Sequence, residues 1–280
     1  MSELEALLLG VVQGLTEFLP ISSSGHLILV PWLQDYTFLQ ENPEFNKTFD
    51  VALHIGTLVA VLGYFRHDLL RITRAFFVTV RKRSIGRGDE RLAWVIIVGT
   101  IPAVVVGGLG ADFIDESLGE PWMIAVELIV FGLVLAHADR RPQDKEIGQV
   151  RLRYGLYIGL AQVLSFAPGA SRSGVTITMG RYLHLTRDTA ARISFLIGVP
   201  AIAGAGAVKG YEAITDGLPE GVVGPMIVGT IAAGVSGYLA IAGLLSYVRS
   251  NSYDAFVVYR VVIGVGVLLL IATGIRPATF

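Results

Sequence analysis

Gln13 and Glu17 stand four residues apart, so on a helix they share one face and offer an amide oxygen and a carboxylate together. That pair suits a hard cation. Pro20 ends the stretch, Ser22, Ser23 and Ser24 supply hydroxyls at the start of the next helix, and His26 falls within its first turn. Hydroxyls, an imidazole and backbone N–H groups at a helix N-terminus favour an anion. A second run, Pro168-Gly169-Ala170-Ser171-Arg172-Ser173-Gly174 followed by Thr176, repeats this character with an arginine at its centre. A guanidinium beside N-terminal amides is a phosphate clamp. The two runs also match each other: Gly14-Leu15-x-Glu17-x-Leu19 and Pro20-x-Ser22-x-Ser24-Gly25 parallel Gly159-Leu160-x-Gln162-x-Leu164 and Pro168-x-x-Ser171-x-Ser173-Gly174.

These residues need a scaffold, and composition says which kind. Of 280 residues, 53% are hydrophobic and 16% charged, against about 25% charged in an ordinary soluble domain. This is the balance of a membrane-embedded protein. The net charge of −1 excludes a general nucleic-acid-binding role, and the absence of cysteine removes thiolate, zinc-ribbon and iron–sulfur chemistry. Glu3 and Glu5 stand where a signal peptide would be positive, so the N-terminus is expected to be retained.

Crossing a hydrocarbon core of about 30 Å takes roughly 20 helical residues. Six segments approach that length, at about 49–65, 92–110, 122–138, 192–209, 222–247 and 255–275. The apolar stretches 3–33 and 154–183 are each cut by a Pro/Ser/Gly cluster into halves too short to cross, and read as re-entrant helix–loop–helix hairpins. Lys and Arg concentrate in 66–91, with eight, in 139–153, with five, and in 181–192, with three; these loops are expected in the cytoplasm. The intervening segments carry Asp35, Glu41, Glu44, Asp112, Asp115, Glu116, Glu120, Glu212, Asp216 and Glu220 and are expected to face outward. Each hairpin is then followed by three spans in opposite orientation. The predicted fold is an all-α integral membrane domain, 1–280, of six transmembrane helices and two re-entrant hairpins. Its inverted-topology halves cover about 1–138 and 154–275, and the site lies between the two Ser/Gly loops near the midplane.

A Glu–Arg pair by itself is as often a packing bridge as a site, and an arginine at membrane depth costs about 2.5 to 3.5 kcal/mol unless it finds a partner or an anion. Glu17 can be the partner of Arg172 and phosphate its ligand, and the convergence of His26, Gln13 and the hydroxyls favours the functional reading. Ser24 and Ser173 read as mainly structural, whereas Ser23 and Ser171 rank higher. Asp50 and His54 sit at the outer end of the first span, Glu127 reads as a polar packing contact, and Arg260 is expected to snorkel toward the inner surface.

At these residues the chain resembles the undecaprenyl-pyrophosphate phosphatase, or bacitracin-resistance, family. The resemblance rests on Gln13-Gly-Leu-Thr-Glu17-Phe-Leu-Pro-Ile-Ser22-Ser23-Ser-Gly-His26 and Pro168-Gly-Ala-Ser171-Arg172-Ser173-Gly-Val-Thr176, with further similarity from Phe49-Asp50 to Gly56-Thr57, and covers essentially the whole chain. It implies a plasma-membrane phosphatase that hydrolyses C55 polyprenyl pyrophosphate to the monophosphate and inorganic phosphate at the outer face, recycling the carrier lipid of cell-wall glycan synthesis. It also implies a divalent cation, Mg²⁺ or Ca²⁺, on Glu17 with Gln13. Carried over by position, Glu17, Ser23, His26 and Arg172 are the catalytic set, with Gln13, Ser22, Ser171, Ser173 and Thr176 around the pyrophosphate. The first motif position is Gln13, where relatives also carry Glu, so metal affinity is expected to differ. Three nucleophiles remain open: Ser23 with His26 as base, ranked first, His26 itself, or an activated water. A polyprenyl-phosphate transporter using the same midplane site is the alternative, and homo-oligomerisation is left open.

Overall fold

The computed structural model describes the backbone of residues 1–117, 119–216 and 221–279, and their side chains except at 37, 40, 43, 44, 109–117, 205 and 208–216. Among the described residues the secondary structure is helical: α1 (Glu3–Phe18), α2 (Ser23–Gln34), α3 (Thr37–Glu41), α4 (Pro43–Tyr64), α5 (Arg66–Lys82), α6 (Asp89–Ser117), α7 (Pro121–Asp139), α8 (Leu152–Val163), α9 (Arg172–Tyr182), α10 (Arg187–Asp216), α11 (Val223–Tyr247) and α12 (Asp254–Ala272). Five stretches, Phe45–Tyr64, Asp89–Gly108, Pro121–Asp139, Val223–Tyr247 and Asp254–Ala272, are long and apolar enough to cross a membrane. They coincide with five of the six expected spans, and this is a multi-pass membrane protein. The sixth, 192–209, falls within α10, where the side chains at 205, 208 and 209 lie outside the described residues. So do the side chains of Glu44, Asp112, Asp115, Glu116, Glu212, Asp216 and Glu220.

Both apolar stretches that the sequence cuts with Pro and Ser are broken where expected. The helices around the breaks have 16 and 12 residues in the first case and 12 and 11 in the second, each shorter than about 20 residues. At each break a serine caps the following helix with the same unusual backbone. Ser22 has φ 76° and accepts from Gly25 N at 3.2 Å; Ser171 has φ 72° and accepts from Gly174 N at 3.1 Å. A positive φ on a serine is strained, and the cap bond helps hold it.

Small residues bring the half-helices close to full-length ones. α1 packs on α11 and α8 packs on α6, backbone against backbone. A Cβ on Gly14 would lie 2.4 Å from Ala233 O, and one on Gly159 would lie 2.4 Å from Gly99 O. Only glycine permits these approaches, which is the reason for the Gly10/Gly14 and Gly155/Gly159 pairs four residues apart. The largest apolar cluster lies beneath the breaks, where Phe18 meets Phe195 edge-on at 5.4 Å. At that end Asp139 joins four helices: Arg181 Nε donates to it at 3.1 Å, Arg187 Nε at 2.8 Å and Tyr253 N at 3.0 Å. The Asp139 bond holds the Arg187 guanidinium in its charged form, with its pKa raised further.

One correction concerns 66–91. Read as a basic loop, it contains the 17-residue helix α5, because its apolar residues recur with helical period between the arginines.

Candidate active site

The two breaks meet. Ser24 Oγ donates to Pro168 O at 3.0 Å, Ser22 Oγ donates to the same carbonyl, and Ser173 Oγ donates back to Leu19 O at 2.9 Å. These latches place the end of α1 and the start of α2 against the start of α9.

Glu17 lies at the centre, 6% exposed, with both oxygens engaged. Oε1 accepts from Arg172 Nη2 at 3.0 Å; Oε2 accepts from Ser23 Oγ at 2.6 Å and from Gln13 Nε2 at 3.1 Å, and His54 Nε2 stands 3.5 Å away. Arg172 is held from behind by Ser194 O, to which Nη1 donates at 3.2 Å. Gly198 makes room for it, since a Cβ there would lie 1.9 Å from Nη1. The structure thus brings Glu17, Gln13, Ser23 and Arg172 together, and His54 joins them from α4.

The remaining predicted residues take other places. Ser22, Ser171, Ser173 and Thr176 are buried, with their hydroxyls in caps and latches; Thr176 Oγ1 donates to Arg172 O at 2.7 Å and lies 2.7 Å from Ser194 Oγ. The expected Ser23–His26 couple is corrected. His26 Nδ1 lies 2.6 Å from Ser22 O, which only a ring N–H can satisfy, so in the neutral ring Nε2 is the acceptor, and it receives Tyr259 OH at 2.7 Å. The imidazole also stacks on the Tyr259 ring at 5.6 Å. Both nitrogens are occupied, and the base within reach of Ser23 is Glu17.

Arg260 is the second correction. It does not snorkel but is fully buried, its guanidinium enclosed by carbonyls: Nη1 donates to Pro20 O at 3.0 Å, Nη2 to Gly169 O at 2.9 Å and Nε to Leu128 O at 3.0 Å. One side chain therefore grips both breaks. Glu127 assists as the expected packing contact, its Oε2 accepting from Gly169 N at 2.7 Å. The signal for Arg260 was in the sequence, because an arginine well inside an apolar span needs buried acceptors.

Chemically the cluster offers a hydroxyl bonded to a carboxylate, a guanidinium beside it, and two helix N-termini. Ser23 is half-buried and Ser24 exposed, so this side is open to a ligand. The arrangement fits transfer of a phosphoryl group.

Comparison with known proteins agrees. Residues 6–266 match the family model described as bacitracin resistance protein BacA. The chain is 47% identical to a Nocardioides protein named undecaprenyl-diphosphatase, over 98% of both chains. Proteins of the same name from Geobacter sulfurreducens and Thermomicrobium roseum are 46% and 43% identical, each over 96% of this chain and 98% of the relative. With its two motifs joined at Glu17 and Arg172 and its length matched almost end to end, this chain belongs to the bacitracin-resistance protein BacA family.

Proposed function

We propose that the protein is a membrane phosphatase that hydrolyses undecaprenyl pyrophosphate to the monophosphate and inorganic phosphate, returning the carrier lipid to cell-wall glycan synthesis. The single observation that carries the mechanism is the 2.6 Å bond from Ser23 Oγ to Glu17 Oε2 beside Arg172. Arg172 and the first N–H groups of α2 and α9 hold the pyrophosphate oxygens. As the phosphate draws Arg172, it loosens the Arg172–Glu17 pair and leaves Glu17 a stronger base. Glu17 takes the Ser23 proton, Ser23 Oγ attacks the terminal phosphorus in line, and the P–O bond to undecaprenyl monophosphate breaks. Water then hydrolyses the phosphoserine, releasing inorganic phosphate and returning the proton to Ser23. His26 and Tyr259 support the Ser22 turn in this reading, while Ser22, Ser171, Ser173 and Thr176 shape the two anion-binding turns.

A divalent cation fits the donors. Gln13 Oε1 is a buried oxygen that receives no hydrogen bond, one side chain from the Glu17 carboxylate, and Mg²⁺ commonly takes one or two carboxylates and completes its shell with substrate phosphates. No group of three acidic, His or Cys residues able to hold a metal occurs among the described residues, so the lipid would have to complete the shell. Glu17 and Gln13 would hold Mg²⁺ or Ca²⁺, which when bound offsets pyrophosphate charge.

The six-span inverted repeat, with halves at about 1–138 and 154–275, is supported by the matched Ser22 and Ser171 caps and by the reciprocal packing of α1 on α11 and α8 on α6. The basic segments, expected in the cytoplasm, support an opening of the site toward the outer face. The test is phosphate release from a C15 or C55 polyprenyl pyrophosphate by purified protein in detergent, with and without EDTA. Metal-dependent release that is lost in Glu17→Ala and Arg172→Ala is expected; folded wild type that binds the lipid without releasing phosphate would refute the reading.

A further inference from the structure

Helix α5 carries three faces. Ile72, Thr79 and Phe76 turn toward α6, where Thr79 Oγ1 accepts from Trp94 Nε1 at 2.9 Å and Phe76 lies 5.5 Å from the Trp94 ring. Leu70, Phe77 and Val80 form a second stripe at helical spacing and are 57%, 64% and 52% exposed. Beside that stripe stand Arg74 and Arg81, two turns apart and both exposed.

The neighbouring cations of α5 are already matched: Arg71 pairs with Asp68 at 2.7 Å and Asp89 at 2.6 Å, and Lys82 stands 3.5 Å from Glu90. Those partners hold the Arg71 guanidinium in its charged form. No carboxylate stands against Arg74 or Arg81 among the described ion pairs, so the exposed apolar stripe is flanked by spare positive charge.

The course of the helix says what covers it. Between Arg71 and Lys82, about 16 Å of helix, every partner named above on α6 falls within its first two turns, at Asp89, Glu90 and Trp94. A helix running alongside α6 would meet residues progressively deeper in the span. Instead α5 crosses the end of α6, starting where α4 ends at Tyr64. It therefore lies at the level where two membrane-crossing helices leave the hydrocarbon, with an apolar stripe and a basic stripe side by side, as in helices seated at an acyl–headgroup boundary.

We propose that α5 is an in-plane interfacial helix that binds anionic phospholipid, with Leu70, Phe77 and Val80 among the acyl chains and Arg74 and Arg81 on the lipid phosphates. The surface is separate from the Glu17–Arg172 site, and the proposal does not depend on which lipid that site hydrolyses.

The test delipidates the full-length protein in detergent, offers equal phosphatidylglycerol and phosphatidylcholine, and counts bound lipid by native mass spectrometry. Wild type is expected to retain phosphatidylglycerol in preference, by an amount that falls as salt is raised. R74Q/R81Q is expected to lose about fivefold in that preference per charge removed, and R74K/R81K to keep it. Equal retention of both lipids by wild type, a preference indifferent to salt, or an R74Q/R81Q protein that holds phosphatidylglycerol as wild type does would each overturn the proposal. A second measurement covers an R74Q/R81Q chain that does not fold. In Phe77→Trp protein in bilayers, the added fluorescence is expected to be quenched by lipids brominated in the upper acyl chain. Unquenched fluorescence, as when a second copy or a soluble partner covers the stripe, would overturn it.

Discussion

Arg172 and Glu17 are 155 residues apart in the chain and joined by one hydrogen-bonded ion pair, Nη2 to Oε1 at 3.0 Å. The pair spans the two broken helices, so neither break forms the site alone. A buried pair of this kind contributes little net stability, because desolvation offsets most of the attraction. In the proposed mechanism its value lies in being exchangeable, since an entering phosphate would replace the carboxylate on the guanidinium.

Arg172→Lys should therefore retain fold and charge yet lose about 10²-fold in kcat/KM, because an ammonium cannot engage carboxylate and phosphate with a planar fork. Steady-state phosphate release in detergent measures this. Activity within a few-fold of wild type would mean that charge alone suffices at this position.

Tyr259→Phe removes the donor to His26 Nε2 but leaves the ring stack. Losing one part-buried hydrogen bond worth about 1 kcal/mol of stability predicts a small fall in Tm, with activity within a few-fold of wild type and an unchanged pH profile. Were His26 the base for Ser23, freeing Nε2 would instead raise activity or shift the pH profile, and kinetics across pH distinguish the two.

Arg260→Met should lower both Tm and kcat. It leaves the Pro20, Gly169 and Ala170 carbonyls at the two breaks without the guanidinium, at about 1 to 3 kcal/mol for each acceptor left unsatisfied. Thermal unfolding in detergent beside the activity assay tests it; a variant with wild-type Tm and turnover would show that the two turns hold their shape unaided.

Gly14→Ala should destabilise by about 1 to 3 kcal/mol through overpacking, because the new methyl would meet Ala233 O at 2.4 Å and Ser236 Oγ at 2.0 Å. Gly243→Ala, with nothing within 4 Å, is the control and should not lower Tm.

Much of this was legible in the sequence for physical reasons. Spans announce themselves by length and apolarity, and Pro20 and Pro168 with their serines mark breaks that no continuous helix accommodates. The proximity of Gln13 to Glu17 and the place of Ser23 and Arg172 at helix N-termini were legible because spacing fixes a shared face or a helix start. What stayed hidden depends on distant partners. His26 lies close to Ser23 in sequence, but the ring is turned away by Ser22 O and by Tyr259, 233 residues later. Arg260 is far from both motifs, and only packing of α12 against α7 brings it under the two breaks. Helix α5 was missed because arginine counting sets orientation but ignores the apolar period between the arginines.

In the proposed mechanism Ser23, deprotonated by Glu17 beside Arg172, takes the terminal phosphoryl group. Acid quench of the protein during turnover of polyprenyl pyrophosphate, followed by peptide mass spectrometry, tests it most directly. Phosphoserine at Ser23 is expected, absent in Ser23→Ala together with at least about 10³-fold of turnover. Phosphate found on His26, or Ser23→Ala protein turning over at the wild-type rate, would contradict it.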